Sequence, residues 1–183
     1  MEQLKEDPAH LAQYGDVEWY AVAINDNGMI GGHIYNYSLS GSRPYYWPDP
    51  TADPIAITLP DAYPNAEIYG INNSGQFVGL MWNDTQDRAF VFDPITGAVD
   101  LNSLIDPNSG WSLEFARDIN TAGQIVGTGT FNGMTRGFIL NPTVVPEPAS
   151  CLLYGIGLLA GAAIRKRKKS HNLKSLTLAT ELL

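Results

Sequence analysis

The sequence predicts an all-β protein built as an array of three repeated units, followed by one C-terminal transmembrane helix. Three observations predict it. A nine-residue pattern, I-N-x-x-G-x-apolar-x-G, occurs at Ile24–Gly32, Ile71–Gly79 and Ile119–Gly127. Its offsets are 71 − 24 = 47 and 119 − 71 = 48, and a near-constant period of this size marks a repeat architecture. Composition is the second observation. Charged residues make up only 16% of the chain, while Gly (18), Tyr (9) and Trp (4) are plentiful, which favours strands and tight turns over helices. The third is an uncharged stretch of 17 residues, Pro148–Ile164, that runs directly into Arg165-Lys166-Arg167-Lys168-Lys169.

Each unit parses into strands in the same order. The first strands read YAVAIN from Tyr20, EIYGIN from Glu67 and FARDIN from Phe115. Each ends at a turn whose recurring residues are Asn25 and Gly28, Asn72 and Gly75, and Asn120 and Gly123. The glycine falls where a tight hairpin needs positive φ. Second strands follow as MIGGHIY, QFVGLMW and QIVGTGTF. Third strands start at Arg43, Arg88 and Arg136, reading RPYYW, RAFVF and RGFIL. Fourth apolar segments, PIAITLP and GAVDLNSL, close the first two units. A four-stranded antiparallel meander of about 47 residues fits the blade of a β-propeller, so the array resembles a partial propeller. Three units fall short of the four or so that close a ring. The third lacks a fourth strand, because Asn141 leads into a Pro-rich segment, and Asp16–Tyr20 is the only candidate to supply it. The organisation expected is an N-terminal segment over residues 1–20, the repeats over 21–142, a sorting or anchor segment over 143–170 and a disordered tail over 171–183. Residues 1–20 contain no basic stretch followed by an apolar run, hence no signal peptide, and the array is read as truncated, mis-started or open.

Charge is divided along the chain. Residues 1–148 carry five basic and eighteen acidic side chains (5 − 18 = −13), and the remainder six and one (6 − 1 = +5). An acidic body argues against nucleic acid as a partner, since phosphate binding needs clustered cations. The only cysteine is Cys151, so no intramolecular disulfide and no cysteine zinc site can form. The apolar stretch containing Ala149, Cys151, Leu152, Leu153, Gly157, Gly161 and Ile164 is just long enough to span a bilayer. Being apolar all round, it favours membrane over core. Arg165, Lys166, Arg167, Lys168 and Lys169 then stay cytoplasmic and the repeats face outward. Gly157 and Gly161 form a G-x-x-x-G pair suited to helix contacts.

No catalytic constellation is visible, so the protein is read as a non-enzyme without cofactor or metal. His10, His33 and His171 do not pair at ligand spacing, and no G-x-S-x-G or phosphate-loop pattern occurs. Asp26 and Asn73 could serve calcium, but their turn positions are better explained by local side chain–backbone hydrogen bonds. Recurrence of Arg43, Arg88 and Arg136 in every unit favours a scaffold role within each unit over a shared site. Trp19, Trp47, Trp82, Trp111 and the tyrosines could stack on sugars, or simply pack. The alternative reading is a secreted hydrolase, with a site formed by a fuller propeller or by paired carboxylates such as Asp84 and Asp87.

Two resemblances add to this reading. The I-N-x-x-G-x-V-G turn followed by Arg88-Ala89-Phe90 resembles the HAF repeat of bacterial surface and secreted proteins, over about Ala21–Asn141. Asp100–Leu104 (DLNSL) is similar to the segment that often closes that repeat. Departures are Pro44-Tyr45 in the first unit and Gly137 in the third. Val145-Pro146-Glu147-Pro148, the apolar stretch and the basic cluster resemble, in that order, a PEP-CTERM sorting signal, from which the extra residues His171–Leu183 depart. The resemblance implies recognition and cleavage near Pro146-Glu147-Pro148 by an exosortase-type enzyme, passage through the membrane, and residence in the cell envelope, at the surface or outside it. Exopolysaccharide is the further partner implied. Prolines suit the cleavage segment, because they keep it extended and out of β-ladders.

Overall fold

The computed structural model describes residues 3–8, 17–37 and 41–142, all within one compact unit, Met1–Pro142. The predicted sorting motif, apolar segment and basic cluster lie outside the described residues. Among the described residues no helix is long and apolar enough to cross a membrane.

The fold is all-β, with three separate antiparallel meanders in chain order. The first contains β1 (Val17–Ile24), β2 (Ile30–Asn36), β3 (Gly41–Trp47) and β4 (Ile55–Ala56). The second contains β5 (Asn65–Ile71), β6 (Phe77–Trp82), β7 (Asp87–Asp93) and β8 (Gly97–Asp100). The third has β9 (Trp111–Ile119), β10 (Ile125–Phe131) and β11 (Met134–Leu140), with no fourth strand among the described residues. One expectation is corrected here. Val17–Tyr20 is not a strand available to complete the third unit; it is the first half of β1 and pairs with His33–Asn36. The first unit therefore starts at Val17 rather than 21. Trp19 explains the gain in length: it packs edge-on against Tyr45 and Trp47 of β3 at 5.2 and 5.9 Å, which anchors this end of the strand.

Successive sheets pack against one another. β5 lies against β1, β2 and β3, and β9 lies against β5, β6 and β7. Between the first and second sheets sits a core of Ala66, Ile68, Phe77, Met81, Phe90 and Phe92, joined by Tyr46. Between the second and third sits another, of Val78, Ala89, Leu113, Ala116, Ile119 and Ile125, joined by Val91. Phe77 and Val78 are adjacent in β6 and therefore point to opposite faces, one into each core. The middle sheet is buried on both faces, so β6 (FVGLMW) reads as a continuous apolar run. In β10 (IVGTGTF) one face is largely open and polar threonines alternate in. Gly31 is where the first sheet makes room. A Cβ there would meet the Phe77 ring at 2.7 Å. Truncating Phe77, which is fully buried, is expected to cost about 3–5 kcal/mol, read as a lower urea midpoint for Phe77→Ala.

The segment between the second and third sheets is also held closely. Asp100 caps the 3-10 turn Leu101–Leu104 by accepting from Asn102 N at 2.8 Å. Asn102 then exchanges two hydrogen bonds with Leu113 of β9, at 2.9 and 2.7 Å. The DLNSL stretch thus ties two units together through one asparagine.

Candidate functional site: the turn ladder and the bulged first strands

The recurring turn residues have a shared geometry. Gly28, Gly75 and Gly123 have φ of 82°, 79° and 77°, so each occupies the left-handed region that an L side chain resists. The asparagine three residues earlier organises the loop. Asn25 Oδ1 accepts from Asn27 N (3.0 Å) and Met29 N (2.9 Å), and Asn72 Oδ1 accepts from Ser74 N and Gln76 N, both at 3.0 Å. Asn120 Oδ1 accepts from Gln124 N at 3.0 Å. These are the local turn bonds expected of the pattern.

The other end of each side chain does something a repeat read singly does not reveal. Asn25 Nδ2 donates to Asn72 O at 3.1 Å, and Asn72 Nδ2 donates to Asn120 O at 3.2 Å. The three turns are thus rungs of one ladder, with Asn25 and Asn72 each reaching the backbone of the next asparagine. Asn25 and Asn72 are buried, at 9% and 3% exposure, so the rungs are shielded from competing water. Asp26 and Asn73, the calcium candidates, bond each other instead: Asn73 Nδ2 donates to Asp26 Oδ2 at 2.6 Å and Asp26 N donates to Asn73 Oδ1 at 3.1 Å. Among the described residues no group of three His, Cys, Asp or Glu side chains could hold a metal ion.

A second repeated feature was missed by sequence reasoning. Each first strand carries a β-bulge three residues before the asparagine, at Val22, Tyr69 and Arg117. Opposite each stands the final glycine of the motif, Gly32, Gly79 or Gly127. A Cβ on these would lie 1.9, 1.9 and 2.0 Å from the carbonyl oxygens of Tyr20, Glu67 and Phe115. That glycine serves close backbone approach, not turn geometry. The spacing from asparagine to second glycine, seven residues in each unit, was the available signal.

The bulges bring aromatic and charged groups together along β1, β5 and β9. Arg117 lies over the rings of Tyr69 (5.0 Å) and Phe115 (4.6 Å), a cation–π arrangement. Tyr69 donates to Glu67 Oε2 at 3.2 Å, and burial first, then the Glu67 charge, pushes its phenol up to about 12. Tyr20 donates to Glu18, which raises the Tyr20 phenol to about 12 and lowers the Glu18 carboxyl. Tyr20 also stacks on His33, with ring centroids 5.2 Å apart. Burial pulls the His33 pKa down, partly offset by the Glu67 charge. A base whose folded pKa is depressed binds fewer protons folded than unfolded. Stability is therefore unaffected above about pH 6.5 and falls as pH drops through that value. His33→Gln is expected to flatten this acid slope in thermal melts taken from pH 7.5 to 5.

The three recurrent arginines do not share one role. Arg88 is held within its unit by Asp100 (3.8 Å) and Tyr63 (3.4 Å), and reaches Ser112 of β9 at 2.9 Å. Arg136 is exposed and donates to the carbonyl of its neighbour Thr135 at 2.9 Å. Arg43 is exposed and borders a cleft of about 240 Å³, with Asp61 and Tyr63 among its other walls. Asp84 and Asp87, the alternative carboxylate pair, are both exposed. No model of a known protein family matches the sequence, and no curated protein matches it.

Proposed function

We propose that this is an exported bacterial protein of the cell surface or extracellular matrix, with a binding or structural role and no catalytic activity. The observation that carries this reading is the order of the C-terminal sequence: Val145-Pro146-Glu147-Pro148, then 16 uncharged residues, Ala149–Ile164, then Arg165–Lys169. An apolar stretch ended by clustered cations holds a chain in a bilayer with the cations inside. The proline-flanked glutamate before it then sits on the outer side, extended and open to an exosortase-type enzyme. The repeats fit a scaffold or binding role, because their recurrent polar residues are used in holding units together. The β1–β5–β9 strip, with Tyr20, Tyr69, Phe115 and Arg117 beside Glu18 and Glu67, offers the aromatic faces and polar groups that suit exopolysaccharide.

The test is the intact mass of the protein recovered from its own cells. A C-terminus near Pro146–Ala149, without the apolar stretch and basic cluster, is the expected result. A chain that keeps its whole C-terminus and stays with the membrane would reject processing. Binding of purified protein to cell-derived polysaccharide, without its breakdown, is the expected companion result.

A further inference from the structure

The two sheet–sheet interfaces are versions of one contact, and the described residues leave that contact unfilled at one end. In the middle unit Val78 is fully buried by the third sheet; its counterpart in the third unit, Val126, is 44% exposed. Val91 packs into the same core, whereas its counterpart Ile139 is 57% exposed. The ladder is open in the same direction. Asn72 Nδ2 makes two bonds, to Gln76 and to the next unit, but Asn120 Nδ2 makes only the one to Gln124 (2.8 Å) among the described residues. At the opposite end, the carbonyl of Asn25 accepts, among the described residues, only from Gly28 N, while those of Asn72 and Asn120 each accept a second bond from the preceding rung.

We propose that a second copy of this chain fills both ends. The exposed face of the third unit receives the outer face of the partner's first unit, and Asn120 donates to the partner's Asn25 carbonyl. A two-fold axis makes the contact twice, giving a ring of 2 × 3 = 6 units, inside the usual range of about four to eight blades. The outer face of the first unit carries Gln3–Pro8, held by Trp47 Nε1 donating to Lys5 O (2.9 Å), by Tyr45 and Asp7 (3.3 Å) and by an exposed Lys5–Asp53 ion pair. The exposed ion pair adds little, but Trp47 and Tyr45 are only 1% and 4% exposed with the segment in place, so the incoming sheet must displace Gln3–Pro8 and replace its two hydrogen bonds. Self-association of this kind is independent of how the chain is exported.

The experiment is cysteine cross-linking of the purified full-length chain, with Cys151→Ser throughout. Asp26 and Thr121 are exposed turn residues, and the repeat geometry sets them side by side across the proposed contact, as Asp26 and Asn73 are within the chain. Asp26→Cys with Thr121→Cys should give a covalent dimer on mild oxidation, and either substitution alone should not. Adding Val126→Asp should reduce the dimer about tenfold or more while the circular dichroism is unchanged, because a charge cannot be buried unpaired. A product that stays monomeric, or a dimer insensitive to Val126→Asp, overturns the proposal. A ladder of products beyond two overturns the closed ring.

Discussion

Gly79→Ala is expected to destabilise the protein by about 4 kcal/mol, although it adds one methyl group. The added Cβ would sit 1.9 Å from the carbonyl oxygen of Glu67 and 3.0 Å from the Phe90 ring. Both neighbours are fixed: one is the backbone of β5, the other a fully buried aromatic. Relief requires the bulge at Tyr69 to unfold or the two strands to part, which breaks ladder hydrogen bonds on both sides. Gly97→Ala is the matched comparison. Gly97 has φ of 88° but nothing within 4 Å of an added Cβ, so only backbone strain of roughly 1 kcal/mol is at stake. Urea unfolding of the two variants should separate them clearly. Equal losses would mean that φ, not close approach, governs the motif's glycines.

Asn72→Ala is expected to cost about 3 kcal/mol, the largest loss among the three ladder asparagines. It orphans Ser74 N and Gln76 N in the turn and withdraws the donor to Asn120 O, at a side chain only 3% exposed. Asn120→Ala removes turn bonds that are open to water and, among the described residues, no onward rung, and should cost the isolated chain roughly 1 kcal/mol. Asn72→Asp divides the two functions. A carboxylate still accepts from the turn amides but cannot donate, and it faces the Asn120 carbonyl. This variant should be about as unstable as Asn72→Ala at pH 7 and should recover partly near pH 4, where the carboxyl can carry a proton. Melting curves at the two pH values check this. An unchanged difference from wild type would mean the rung contributes nothing.

Much of the architecture was legible because it is written locally. The turns at Asn25–Gly28, Asn72–Gly75 and Asn120–Gly123 need only four residues each, and positive φ at each glycine follows from that chemistry. Strand order within each unit followed from short apolar runs between turns. The start of β1 was misplaced by about three residues because Val17–Trp19 is recruited by Tyr45 and Trp47, more than twenty residues away. The strip of Tyr69, Arg117 and Phe115 was not legible either. It depends on single-residue bulges, which leave hydrophobic alternation almost unchanged.

By itself, then, the sequence determined the repeat, its period, its turns and the divided charge of the chain, since each is a property of neighbouring residues. Only the tertiary structure decided what the repeated residues are for. Asn72 could be read as a turn former, but its amide meets Asn120 O, 48 residues away, only once the sheets are stacked. Gly79 could be read as a flexible position, but the carbonyl it must clear belongs to a different strand. Arg88 and Arg136 look equivalent in the sequence, yet Arg88 reaches the following unit while Arg136 stays in solvent. In each case the decisive partner lies on another strand, brought within a few ångströms by strand pairing for Gly79 and by sheet-on-sheet packing for Asn72 and Arg88, which no window along one strand contains.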